Sequence, residues 1–190
     1  MIKILIFNLL FYLLGFALPV NAQEINSRTF LVNALTIVNL QKNIQELKSK
    51  TTIPVIFPTK IPANKEKTYA SYSSYGINPN LYHFWQINAD ATPDCHGTRV
   101  CNIGFLRGEI EGKFDLKYRA MPGNKEYYKA RVILKNNTIA YYTPFHSMAS
   151  GINPIIEWRR GRILYTLSWR IEADSSQQKQ ILIDMANSIQ

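Results

Sequence analysis

Cysteine is nearly missing from this chain. Two in 190 residues are too few for a disulfide-built mini-scaffold. Acidic residues are also scarce, 13 Asp and Glu against 22 Lys and Arg, which leaves a formal net charge of +9. There are three histidines, no Gly-rich phosphate loop, no Gly-x-Ser-x-Gly elbow and neither a Cys-x-x-Cys nor a His-x-x-x-His pair. These gaps remove the common signatures of nucleotide binding, serine hydrolysis and zinc coordination. No internal repeat or low-complexity tract interrupts the chain. What is abundant is apolar: 46% hydrophobic residues, with eleven Tyr, nine Phe and three Trp. That fraction excludes a disordered chain, the aromatics favour sheet, and the length suits one domain with an added helix.

The first 22 residues read as a leader rather than as part of the fold. Lys3 gives a basic start, residues 4–18 are uncharged and almost wholly apolar, and Pro19-Val20-Asn21-Ala22 supplies small residues for cleavage. This is the pattern of a secretory signal peptide. The apolar run falls short of the about 20 residues that a membrane span needs, because Asn21, Gln23 and Glu24 follow it at once. Residues 1–22 are therefore expected to be removed, which places the product in the periplasm or outside the cell.

The remainder divides at about residue 53. Residues 25–49 hold no Gly or Pro, and Phe30, Ile37, Leu40, Ile44 and Leu47 recur at helical spacing. The expectation is an N-terminal amphipathic helix within 23–52, packed on the domain that follows. Pro54, Pro58 and Pro62 then forbid helix. Seven strand-like runs come next, at 68–75, 81–89, 100–107, 127–135, 138–143, 155–159 and 162–171. Leu81, His83, Trp85 and Ile87 alternate in one of them, and Ile163, Tyr165, Leu167, Trp169 and Ile171 in another. Asn136-Asn137 and Arg160-Gly161 read as hairpin turns. Residues 175–189 are helical again, with Ile181, Leu182, Met185 and Ile189 on one side. The fold class is α+β: residues 53–190 form a mainly antiparallel sheet of about seven strands, flanked by an N-terminal and a C-terminal helix.

Several segments carry a resemblance. They are Pro54, Pro58 and Pro62 around Val55-Ile56-Phe57, Cys95 followed by Cys101-Asn102-Ile103-Gly104 and Gly108, Glu157-Trp158-Arg159-Arg160-Gly161 leading to Tyr165, and Leu182-Ile183-Asp184-Met185-Ala186-Asn187-Ser188. Together they resemble a family of secreted bacterial, mainly cyanobacterial, proteins. That family is loosely similar to extracytoplasmic domains of unknown function on anti-sigma factors. The resemblance spans about residues 53–190 and implies fold and export. Many of those proteins carry a second cysteine pair ahead of the tryptophan strand, whereas residues 142–153 have none here.

Chemistry is thinly signalled. Cys95 and Cys101, an even count in an exported chain, read as a disulfide worth about 2–2.5 kcal/mol on loop entropy. The alternative is a reactive thiol activated by His96 and Arg99. Asp90, Asp94 and His96 lie close in sequence but lack metal-ligand spacing, so neither a metal nor a cofactor is expected. His83 reads as a packed strand residue. His146-Ser147 offers hydrolase groups without a motif. Glu109 and Glu111 could form a glycosidase pair, but surface acids facing Lys or Arg explain them better.

Charge is the informative feature. Lys3 is the only charged residue of the leader, so the mature chain carries 21 cations and 13 acids. Residues 99–170 contain 13 of those cations and five of the acids, which is the whole mature excess of +8. Aromatic residues are interleaved there, among them Phe114, Tyr118, Tyr141, Tyr142 and Trp158. The expectation is a basic, anion-binding face built from Lys129, Arg131 and Lys135 on one strand and Arg160 and Arg162 on a later hairpin. Its partner would be an anionic membrane surface, a cell-wall polymer or an acidic glycan rather than nucleic acid. The competing expectation is a secreted hydrolase with a site assembled from loops, which requires a pocket collecting His, Ser or carboxylates.

Overall fold

The computed structural model describes residues 31–63, 67–78, 81–120, 125–144 and 153–189. The leader and the start of the expected N-terminal helix, residues 1–30, lie outside them, as do His146 and Ser147. Alternating strand sequences produce one seven-stranded antiparallel sheet. Its members are β3 (Tyr69–Asn78), β4 (Leu81–Asp90), β5 (Asn102–Ile110), β8 (Ala130–Ile133), β9 (Ile139–Thr143), β10 (Ile155–Arg160) and β11 (Ile163–Trp169), in the spatial order β3-β4-β5-β11-β10-β9-β8. Two ribbons lie beside it: β1 (Leu31–Asn33) with β2 (Lys60–Pro62), and β6 (Lys117–Ala120) with β7 (Lys125–Tyr128). Helices α1 (Leu40–Lys48) and α2 (Ser175–Asn187) complete an α+β architecture. Among the described residues no helix is long and apolar enough to cross a membrane.

The N-terminal helix is shorter than its spacing suggests. Residues 31–33 pair with β2, a 3₁₀ turn follows at Ala34–Thr36, and α1 spans nine residues. Two asparagines explain the difference. The Asn33 side chain accepts from the Leu35 N–H, and Asn39 adopts φ 63°, a left-handed conformation that Asn tolerates better than most residues. Between them Val38 is tied to the start of β3, donating to Thr68 O and accepting from the Ala70 N–H. Ile37, Leu40 and Leu47 are buried as the stripe predicts, but Leu35 is 61% exposed.

The core lies on the sheet face covered by α1, the extended segment around Ile53, Val55 and Phe57, and α2. One register row on this face runs Ser74, Trp85, Gly108, Tyr165, Trp158, Ala140, Val132 across all seven strands. Trp85 and Tyr165 are neighbours across Gly108, with ring centroids 6.3 Å apart, and Trp158 stacks on Tyr165 at 5.6 Å. Gly108 makes the crowding possible: a Cβ there would lie 2.8 Å from the Trp85 ring. Four residues earlier, Gly104 does the same for Trp169, whose ring would stand 2.6 Å from a Cβ. The Tyr165 hydroxyl donates to Pro54 O, and burial pushes its pKa upward, so it stays neutral.

Helix α2 closes this face. Asp174 caps it by accepting from the Ser176 and Gln177 N–H groups, which with the Ser176 hydroxyl hold its carboxyl below the usual range. Ile181, Leu182 and Met185 are buried, and Ile189 bridges to Pro58, joining the C-terminal end to the proline segment.

Replacing Gly108 by Ala is expected to destabilise the protein by about 1–3 kcal/mol, because buried Trp85 has no room to retreat. Urea unfolding should show a lowered midpoint at unchanged slope. In a Trp85→Leu background the same Gly108→Ala change should cost less than it does in the parent. A Gly108→Ala variant as stable as the parent would show that the indole has room to shift.

Candidate functional site

The sheet distributes the five expected cations in a way that linear proximity does not show. Arg131 lies in register with Tyr141, Glu157 and Thr166 on the face opposite the helices, which is called the outer face below. It is exposed, as is Lys135, while Val132 and Leu134 point inward and are buried. Lys129 is not part of any exposed patch. Its ammonium pairs with Glu157, and the two side chains are only 10% and 13% exposed. Arg162 pairs with Glu111 at the surface, a contact worth little energetically that still neutralises the charge. Arg160 shares the parity of Trp158 and belongs to the helix-covered side. The expected single basic face is therefore corrected: Arg131 and Arg160 occupy opposite faces, and Lys129 and Arg162 are neutralised. Glu157 and Glu111, distant in sequence from Lys129 and Arg162, reach them only through strand pairing.

The outer face has a recess at the corner formed by β8, β9 and β10. It is a shallow, open depression of about 400 Å³ lined by Phe114, Asn136, Asn137, Thr138, Ile139, Tyr141 and Arg159. The chain leaving β5 turns at Glu111, where φ is 54°, and carries Phe114 onto Tyr141 with ring centroids 4.9 Å apart. Arg159 donates to Gly112 O and sits 5.6 Å from the Phe114 ring centroid. The carbonyl and the ring hold the guanidinium from two sides. The hairpin turn supplies the opposite wall. Asn136 and Asn137 both have left-handed φ, 59° and 58°, so two consecutive carboxamides sit at the rim. Arg159, Phe114 and Tyr141 belong to the basic and aromatic interleaving of residues 99–170, but strand parity alone does not reveal that Phe114 folds back over β9.

The groups a hydrolase would need are scattered. His83 and His96 are both exposed, so His83 is not the packed strand residue expected. Glu109 pairs with Arg107, and Glu111 lies beyond the end of β5 rather than on its face. The recess lining contains no His and no carboxylate. Among the described residues no three His, Cys, Asp or Glu side chains gather as a metal site.

Cys95 and Cys101 form a disulfide with a Cα–Cα distance of 5.8 Å. Neither sulfur is therefore a free nucleophile, and the loop between them has a structural task. Its Gly97 N–H donates to Asp90, a carboxylate 1% exposed that also accepts from the Ser71 hydroxyl and the Asn102 amide. Gly97 (φ 76°) packs so closely on Asn88 that a Cβ would stand 2.7 Å from its amide nitrogen. The disulfide loop thus closes the polar end of β4 and β5.

Intact protein should weigh two hydrogens less than its reduced form. Free alkylation of both thiols without a reductant would refute the disulfide. Lys129→Ala should cost about 2–4 kcal/mol, since it strands a nearly buried carboxylate. The double variant Lys129→Met with Glu157→Gln should regain most of that stability in thermal unfolding. An unaffected single variant would return Lys129 to the solvent. No family model, no curated protein and no solved structure matches the chain, so its own residues carry the functional reading.

Proposed function

We propose that the protein is an exported, non-catalytic binding or envelope-accessory domain that uses the β8–β10 corner to hold an anionic partner. The observation that carries this reading is local electrostatics. Arg131 and Lys135 are exposed, no carboxylate among the described residues pairs with either, and they neighbour a recess that contains Arg159 and no acid. Export rests on the leader pattern of residues 1–22 and agrees with the disulfide. The resemblance to secreted bacterial proteins points the same way. A membrane surface, a cell-wall polymer and an acidic glycan all present the negative charge that such a corner attracts. Association of this kind weakens as salt shortens the screening length.

Sedimentation of the purified exported protein with anionic and neutral vesicles, and with anionic and neutral polysaccharide, tests the proposal at low and high salt. Binding should favour the anionic material and fall with salt. Arg131→Ser with Lys135→Ser should weaken it about tenfold or more, on the scale of about 1 kcal/mol per cation. Equal retention on neutral material, or no effect of the two substitutions, would reduce the corner to a solubilising surface.

A further inference from the structure

We infer that the recess is a subsite for one acidic sugar residue of a glycan, a ring bearing a carboxylate, which deepens the anion-binding reading and rests on it. Three kinds of group meet there, and each matches one part of such a ligand. Phe114 and Tyr141 pack edge to face at 4.9 Å and offer aromatic surface to the C–H face of a pyranose ring. Arg159 is a prepositioned guanidinium, anchored by Gly112 O and by the Phe114 ring. A guanidinium has five N–H donors in a planar fork suited to carboxylate, and among the described residues Arg159 pairs with no acid. Asn136, Asn137 and Thr138 line the opposite wall, and their side chains have no hydrogen-bond partner among the described residues. They supply donors and acceptors for ring hydroxyls.

Size and setting narrow the ligand further. About 400 Å³ is at the small end of ligand sites. It suits one ring with part of its neighbour, not a folded partner. The recess opens on the outer face, where Arg131 projects from the adjacent strand in register with Tyr141, so a second acidic residue of the same chain has a cation within reach. A simple phosphate or sulfate would use Arg159 alone and leave the aromatic and carboxamide walls idle. A lipid surface would use the exposed charge but not the carboxamides.

The test is calorimetric titration of the exported protein with trigalacturonate, its fully methyl-esterified counterpart, inorganic polyphosphate and anionic vesicles. Trigalacturonate should bind best, and esterification should weaken it about tenfold or more, the loss expected when a charged hydrogen-bonded pair is removed. Arg159→Lys keeps the charge but loses the fork. Asn136→Gly with Asn137→Gly removes both carboxamides while tolerating the left-handed backbone. Both should weaken trigalacturonate binding about tenfold at an unchanged thermal midpoint, and the asparagine variant should leave polyphosphate binding as it was. Polyphosphate or vesicles binding as tightly as trigalacturonate would overturn the sugar subsite. So would recess variants that bind normally while Arg131→Ser with Lys135→Ser does not, and in that case the broader anion-binding reading survives. Failure of every anionic probe would sink both.

Discussion

The structure depends on how closely two tryptophans can lie against β5. Trp85 and Trp169 are side-chain neighbours of Gly108 and Gly104, and each indole occupies the space a Cβ would fill. This lets large residues alternate with small ones along the central register row, the pattern that fills a layer without voids. The Trp85–Tyr165–Trp158 series then presents a continuous aromatic surface to the proline segment and α2. Pro54 accepts from Tyr165, and Ile189 pairs with Pro58, so both ends of the domain are registered on that surface. In this row the buried Trp85 indole N–H has no hydrogen-bond partner among the described residues, an arrangement that costs about 1–3 kcal/mol and is tolerated beside so much buried ring area.

The outer face follows different rules. Glu157 and Arg107 stand in the row that begins at Arg131, and Glu109 and Arg159 in the row beside it. Half-buried charges on a sheet face are stable when opposite signs meet: Lys129 reaches Glu157 across the sheet, and Arg107 pairs with Glu109 two residues along the same strand. Arg159 meets a carbonyl and a ring instead. Among the described residues neither it nor the exposed Arg131 of the same face pairs with a carboxylate, and Arg159 is the one of the two that lines the recess.

Most of the fold was legible because its strands alternate. The seven expected runs correspond to the seven strands of the main sheet, with the run over 127–135 broken where Lys129 turns to donate to Leu116 O. Ile181, Leu182 and Met185 were readable as a buried helix face for the same reason of periodicity. The stretch from Leu31 to Asn39 misled because its apolar spacing fits a helix, while the deciding contacts come from Thr59, Thr68 and Ala70, far along the chain. The β10–β11 turn is Gly161-Arg162, one residue later than expected, since Gly161 takes the left-handed φ of 56°. The site was less legible than the fold. Counting charge pointed to residues 99–170, which also hold Arg159, Phe114 and Tyr141 of the recess, but ion pairing and strand parity are tertiary facts. They removed Lys129, Arg160 and Arg162 from the face and admitted Arg159.

The disulfide has a bearing on how this chain reaches its fold. Its two cysteines are six residues apart, and a loop of that size closes on the fast timescale of local contacts. With only two cysteines, a single intramolecular pairing exists, so oxidation offers no wrong partner and calls for no isomerisation. The bond can form before the long-range pairing of β5 with β11 is in place. The loop would then be shaped early, ready to deliver the Gly97 N–H to Asp90 when β4 and β5 come together. The bond thus ties together residues at one end of the β4–β5 hairpin and does not cross-link distant parts of the domain.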